Sequence, residues 1–255
     1  MTARTRRALV TGGGSGLSSG IATALAWDGF ERVAITYRDS DPQATCSAIE
    51  GAGARASATR IDFSENADAV ASALEKLIEA EGPFDTLVHG VGLLTVKRFA
   101  NLTLEDYTKL FDANVRSAVL AAQAVLPAMR ERGFGRIVVF GGNGSSETRP
   151  FRGFTLYQAS KSALVAFART LAIEEAQFGV TVNVIEPGDI REKRQSRAAA
   201  RAQKSPIPRG RPGSFEDVAD VVRFLIAPER DFITGAVIGV TGGLTQGDGR
   251  NASHS

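Results

Sequence analysis

In 255 residues, 30 lysines and arginines against 28 aspartates and glutamates leave a net charge of +2, too balanced to imply nucleic acid by itself. A single cysteine, Cys46, excludes an intramolecular disulfide, a Cys-x-x-Cys zinc site and an iron–sulfur cluster. With only two histidines, His89 and His254, no metal site and no histidine-based triad is expected.

The elements follow in chain order. Arg7–Thr11 reads as a buried strand, followed by a glycine-rich turn and a helix through Trp27. Arg32–Tyr37 is a second strand, with a helix near Gln43–Gly51. Arg55–Asp62 is a third, with a helix over 65–80. Phe84–His89 is a fourth, followed by a long helical region through Met129. Gly135–Phe140 is a fifth, with a helix over 156–177. Val180–Ile185 is a sixth. After a polar stretch, a helix over Phe215–Ile226 leads to a last strand at 236–240. Strands and helices alternating at this pitch predict one α/β domain over residues 1–245, a doubly wound parallel sheet of about seven strands with helices on both faces. Residues 189–213 and 246–255 break the rhythm, the latter reading as a flexible tail. No stretch reaches the ~18 apolar residues of a membrane span. The opening Met-Thr-Ala-Arg-Thr-Arg-Arg runs into a strand, not a signal-peptide core, so a cytoplasmic protein is expected.

Thr11-Gly-Gly-Gly-Ser-Gly-Leu-Ser18 joins the first strand to the first helix. Glycines there let the backbone approach a pyrophosphate, and the free N–H groups of the helix start stabilise its charge. No Gly-Lys-Ser/Thr follows, which excludes a Walker loop. Further on, Tyr157 and Lys161 stand four apart on one helix face. A neighbouring ammonium favours tyrosinate, so the pair predicts a lowered phenol pKa.

Thr11-Gly12-x-x-x-Gly16-x-Ser18, Asp62, Asn114, Tyr157-Gln-Ala-Ser-Lys161 and Pro187-Gly188 occur in the order and spacing of the short-chain dehydrogenase/reductase family, which the chain resembles over residues 5–245. Within it, the chain looks like the 3-oxoacyl-carrier-protein reductase type. The resemblance implies a single-domain Rossmann fold. It also implies a ketoreductase in which Tyr157 protonates the carbonyl oxygen, Lys161 binds the nicotinamide ribose and Asn114 serves a proton relay. For the cofactor it implies contacts from Gly12, Gly14, Ser15, Gly16, Leu17, Tyr37, Arg38, Asp62, Phe63, Gly90, Lys161, Pro187, Gly188 and Ile190.

Four departures stand out. The family's serine sits about 13 residues before the tyrosine at the end of the fifth strand; here Gly142 ends that strand, and Ser145, with Ser146 beside it, is the candidate hydrogen-bond donor to the carbonyl. His89-Gly-Val-Gly92 replaces Asn-Asn-Ala-Gly, with His89 read as structural or as part of the cofactor wall. Ser18 replaces a third glycine, and Glu192 stands where the family often has threonine.

Arg38, with no acid at Tyr37, predicts NADPH over NADH, since a 2′-phosphate needs a cation. Eight basic residues and one acid between Arg191 and Arg211, in the stretch that folds over substrate in the family, suggest an anionic partner such as a carrier-bound acyl group. The leading expectation is an NADPH-dependent carbonyl reductase acting on a 3-oxoacyl thioester or a secondary-metabolite ketone. An NAD(P)-dependent alcohol dehydrogenase and a catalytically impaired NADPH-binding sensor or scaffold are the alternatives. Neither nucleic acid nor membrane is expected as a partner. The resemblance implies a homotetramer or homodimer packed through helices near 103–130 and 155–178.

Overall fold

A computed structural model describes residues 6–190 and 194–244. Seven short segments form one sheet: β1 (Arg7–Thr11), β2 (Arg32–Tyr37), β3 (Arg55–Arg60), β4 (Thr86–His89), β5 (Gly135–Phe140), β6 (Val180–Pro187) and β7 (Val237–Val240). All pair in parallel, in the order β3-β2-β1-β4-β5-β6-β7. Strands buried on both faces are continuous apolar runs, and their side chains alternate between two cores. Leu9, Leu87, Ile137 and Val139 face one side with α3 (Ala67–Glu81), α5 (Ser117–Glu131) and α6 (Thr155–Glu175). Val10, Val88, Val138 and Phe140 face the other with α1 (Gly16–Trp27), α2 (Gln43–Gly51) and, later in the chain, α8 (Phe215–Ile226).

The strand order reverses between β1 and β4. Parallel pairing puts every strand's C-terminal end on one edge of the sheet, so the loops after β1 and β4 diverge there and open a crevice. No described helix is long and apolar enough to cross a membrane.

The predicted long helix before Met129 divides. Residues 90–98 are irregular, α4 (Leu104–Phe111) starts at a Thr103/Asp106 capping box, and a π-helical turn, Asp112–Arg116, separates α4 from α5. At the end of the irregular segment the Lys97 amide donates to the Gly153 carbonyl at 2.9 Å. Its ammonium reaches Asp106 at 2.8 Å. The third strand stops at Arg60, because Asp62 turns back to accept from the Ser64 amide at 2.9 Å and its hydroxyl at 2.7 Å. The predicted tail 246–255 and Glu192 lie outside the described residues. Within the basic stretch, α7 (Arg197–Arg201) is a single short helix.

Candidate active site

At the β1–α1 turn, Gly12 takes φ +67°, a left-handed conformation that side chains resist. A Cβ on Gly14 would stand 2.5 Å from the Ser40 hydroxyl and 2.7 Å from the Tyr37 Cβ, so only glycine fits between that turn and the end of β2. Ser15 caps α1 in extended backbone, and its side chain makes no cap hydrogen bond. The first-turn amides therefore keep their positive potential toward the crevice. This bare-backbone cradle at a helix start fits a dinucleotide pyrophosphate.

Beside it, Arg38 is exposed and pairs with Asp39 at 2.5 Å. Arg60, opposite Tyr37 in the β2–β3 register, donates to the Arg38 carbonyl at 3.1 Å and brings a second guanidinium to this corner. Local pattern did not single it out, since only strand pairing places it there. Asp62 sits close by. Its own desolvation opposes ionisation, but the Ser64 hydrogen bonds and the charges of Arg38 and Arg60 hold it below the usual carboxylate range. Leu17 packs on the α1 side of the sheet, and the Phe63 ring lies edge-on to His89 with centroids 6.1 Å apart. Across the sheet, the Gly188 amide bonds the Val240 carbonyl at 3.0 Å and the Ile190 amide bonds the Gly188 carbonyl at 3.0 Å, so Pro187–Ile190 is tied to β7.

His89 is fully buried between two hydroxyls. The Ser117 hydroxyl donates to the Ala113 carbonyl at 2.6 Å, so at 3.0 Å it accepts from His89 Nε2–H. His89 Nδ1 then accepts from the Thr11 hydroxyl at 2.9 Å, and Thr11 accepts from the Gly90 amide at 3.1 Å. This chain runs from the glycine-rich turn to the π-helical turn and requires a neutral ring. Burial, then the Lys161 charge, depresses its pKa to about 3. An ordinary histidine titrates near 6.5, so the unfolded state gains the proton first and stability falls as pH drops below about 6.5. Between pH 7.5 and pH 5.5 the protein is expected to lose about 1.4 kcal/mol more than His89→Asn, read from urea midpoints at the two pH values.

Asn114, in the π-helical turn, is completely buried. Its Oδ1 accepts from the Leu93 amide at 2.8 Å; its Nδ2 donates to the Leu93 carbonyl at 3.0 Å and to the Ser160 hydroxyl at 2.9 Å. Ser160 in turn donates to the Tyr157 carbonyl at 2.8 Å. The amide thus pins the irregular segment after β4 to the first turn of α6. A Cβ on Gly92 would lie 3.0 Å from Asn114 Oδ1 and 3.2 Å from Lys161 Nζ, so a bare backbone lets those groups converge. Lys161, buried, donates to the Phe140 carbonyl at 2.7 Å.

Tyr157 faces the end of β5. A Cβ on Gly142 would stand 3.2 Å from its hydroxyl and 3.4 Å from Lys161 Cγ, which puts Gly142 opposite the phenol. The expectation that Ser145 turns toward the carbonyl is revised. Its hydroxyl donates to Glu186 Oε1 at 2.8 Å and accepts from the Gly142 amide at 3.1 Å. Ser146 donates its amide to the same oxygen at 2.7 Å, and the Gly144 amide reaches Oε2 at 3.0 Å. The turn after β5 is wrapped on a buried carboxylate that had not been foreseen, although a glutamate ending the apolar run Val180–Ile185 was a visible signal. The lowered phenol pKa is also revised: burial first, then the Glu186 charge, pushes Tyr157 up to about 12.

The basic stretch is partly self-neutralised. Arg211 is bidentate on Asp217 at 2.7 and 2.9 Å, and Arg197 pairs with Asp217 at 3.0 Å and with Asp220. Against the desolvation of Asp217, Arg211 and the hydrogen bonds from the Ser214 amide and hydroxyl hold its carboxyl well below the ordinary range. Charge count alone overstated what an anionic partner would find there.

Comparison with known proteins agrees with this geometry. The family described as Enoyl-(Acyl carrier protein) reductase matches residues 12–245. The chain is 33% identical over 248 residues to the short-chain reductase protein NovJ of Streptomyces niveus, covering 92% of each chain. It is 31% identical over 247 residues to the 3-oxoacyl-[acyl-carrier-protein] reductase FabG of Escherichia coli, covering 93% of this chain and 96% of the relative. Among solved structures, acetoin dehydrogenase from Enterobacter cloacae superposes with a TM-score of 0.84 at 29% identity, over 95% of this chain and 96% of that one.

Proposed function

The chain belongs to the short-chain dehydrogenase/reductase family, oxidoreductases acting on CH–OH and C=O groups, and within that chemistry we propose an NADPH-dependent carbonyl reductase. The observation that carries this reading is the half-buried Tyr157 one turn from the buried Lys161, beside a glycine cradle at the sheet's switch point. A phenol held above its ordinary pKa is protonated throughout the neutral range, as a proton donor to a carbonyl must be.

Gly12, Gly14, Ser15 and Gly16 would hold the pyrophosphate, with Leu17 at the helix start, Gly90 opposite and Pro187, Gly188 and Ile190 toward the nicotinamide. Asp62 and the Phe63 backbone would flank the adenine. Tyr37 opens the ribose corner, where Arg38 and Arg60 meet a 2′-phosphate with charge; Asp39 must yield Arg38 for that contact. The dinucleotide, when bound, supplies the hydride. Lys161 orients the ribose and, with Asn114 behind it, returns a proton to Tyr157. Tyr157 gives its proton to the carbonyl oxygen. With Gly142 opposite the phenol, no side chain from that position shares the oxygen, so a carbonyl activated by a second electron-withdrawing group, as in a 3-oxoacyl thioester, suits the site best. The same reading has the enzyme working in the cytoplasm as a homotetramer or homodimer, on a small or carrier-bound substrate.

Calorimetric titration tests the cofactor without a substrate. NADPH is expected to bind at least about tenfold more tightly than NADH, about 1.4 kcal/mol. Equal or tighter NADH binding overturns the Arg38–Arg60 argument and favours an alcohol dehydrogenase. Binding of neither overturns the reductase reading.

A further inference from the structure

Glu186 has no part in the reaction as described, yet it is 5% exposed and accepts three hydrogen bonds from the turn after β5. Two adjacent glycines stand between it and the phenol. A Cβ on Gly141 would meet Glu186 Cγ at 3.1 Å and the Ser145 hydroxyl at 2.9 Å, whereas one on Gly142 would meet the Tyr157 hydroxyl at 3.2 Å. A carboxylate on β6 and a phenol on α6 therefore approach each other across a bare-backbone turn, with no side chain between them from these positions.

We propose that Glu186 is a positioning residue of the reductive step: it folds the 142–146 turn onto its carboxylate, leaves Gly142 facing Tyr157, and holds a negative charge beside the Tyr157 hydroxyl. This deepens the reductase reading and rests on it for its catalytic consequence. Because all three contacts are donors to oxygen, the ionised carboxylate is the form the turn is built around. A nearby anion opposes ionisation of a phenol and so keeps the proton on Tyr157. The direction agrees with the raised Tyr157 pKa.

Other groups at this corner, among the described residues, do not supply the same field. Lys161 lies one turn along α6 and acts in the opposite sense, with its ammonium on the Phe140 carbonyl. His89 on β4 is neutral. Arg149 lays its aliphatic stem over Gly144 and its guanidinium on Glu147. Asp189, past the end of β6, accepts from Ser205 at 3.4 Å. Glu186 is thus the buried anion on which the turn is folded.

The test reads tyrosinate absorbance milliseconds after a pH jump, with Tyr157→Phe subtracted to isolate this phenol among the three tyrosines. At pH about 11, an ordinary phenol is about nine-tenths ionised. Wild-type Tyr157 is expected to be about one-tenth ionised, and Glu186→Gln to raise that fraction severalfold. Ser145→Ala, which frees part of the turn but keeps the charge, is expected to match wild type. The proposal is overturned if wild-type Tyr157 is mostly ionised at pH 11, a result that needs no Glu186 variant to fold. It is also overturned if folded Glu186→Gln titrates like wild type, or if Ser145→Ala shifts as far as Glu186→Gln. In turnover, the alkaline limb of kcat/KM for carbonyl reduction should move down by about 1 on the pH scale in Glu186→Gln, a change that mere loosening of the turn would not produce. Should wild type reduce no carbonyl at all, the reductase reading fails while the absorbance experiment still judges Glu186.

Discussion

Tyr157→Phe is expected to cut NADPH-driven carbonyl reduction by roughly 10²–10⁴-fold, the usual worth of a positioned general acid. The substitution removes only the hydroxyl. The ring keeps its edge contact with Phe154, at a centroid distance of 5.8 Å, and its place over Gly142. Ser160 bonds the residue's main-chain carbonyl, so the Asn114–Ser160 anchor survives. Lys161 retains the Phe140 carbonyl. NADPH affinity by calorimetry is accordingly expected to stay within about twofold, and the loss should fall on kcat more than on KM. With no hydroxyl at Gly142 to take over, the remaining rate should be lower than in a site with a second side-chain donor. A variant that retained more than about a tenth of wild-type kcat would place the acid elsewhere. A wild type that binds NADPH but turns over nothing, and a variant indistinguishable from it, would support the sensor or scaffold alternative.

The parts of this site that could be read along the chain are those whose partners lie within a turn or two. The phosphate cradle is contiguous, and Tyr157 and Lys161 share a helix face by their spacing. The central strands announce themselves as apolar runs because both sheet faces are covered there, whereas the edge strand β3, Arg55–Arg60, is mostly polar and has no buried residue. What escaped depends on pairing across the sheet. Arg60 joins Arg38 because β2 and β3 align Tyr37 with Arg60. Glu186 and Ser145 are 41 residues apart and meet only because β5 and β6 end side by side. Ser145 looked available because a missing serine invited a substitute nearby; the buried carboxylate that claims its proton belongs to another strand. The phenol's pKa was misjudged for the same reason, since the lysine was visible on its own helix and the burial and the anion were not.

Two departures from the family pattern, read separately in the sequence, are one adjustment in the structure, and their energetic coupling should be measurable. Gly90→Ala is expected to destabilise the fold by about 3 kcal/mol, the upper range of overpacking a filled site. Its new Cβ would overlap the Ser18 hydroxyl, and it would also stand 3.0 Å from the Ser18 Cβ and 2.9 Å from the Thr11 carbonyl oxygen. Rotating the serine relieves only the first contact. Ser18 is buried in the first turn of α1, so it has little freedom to withdraw. Ser18→Gly alone should cost up to about 1 kcal/mol through helix propensity. Together, Ser18→Gly and Gly90→Ala should recover more than half of the alanine penalty, leaving a remainder from the Thr11 carbonyl, which is fixed at the end of β1 by its bond from the Gly90 amide at 3.2 Å. A double-mutant cycle from urea unfolding should therefore show a favourable coupling of about 2–3 kcal/mol. Simple additivity would mean that serine and glycine occupy these positions independently, and that the bulk added at the cradle is absorbed elsewhere. Coupling of the expected size would mean that the wall after β4 gave up its side chain so that the helix start at the glycine-rich turn could carry a serine.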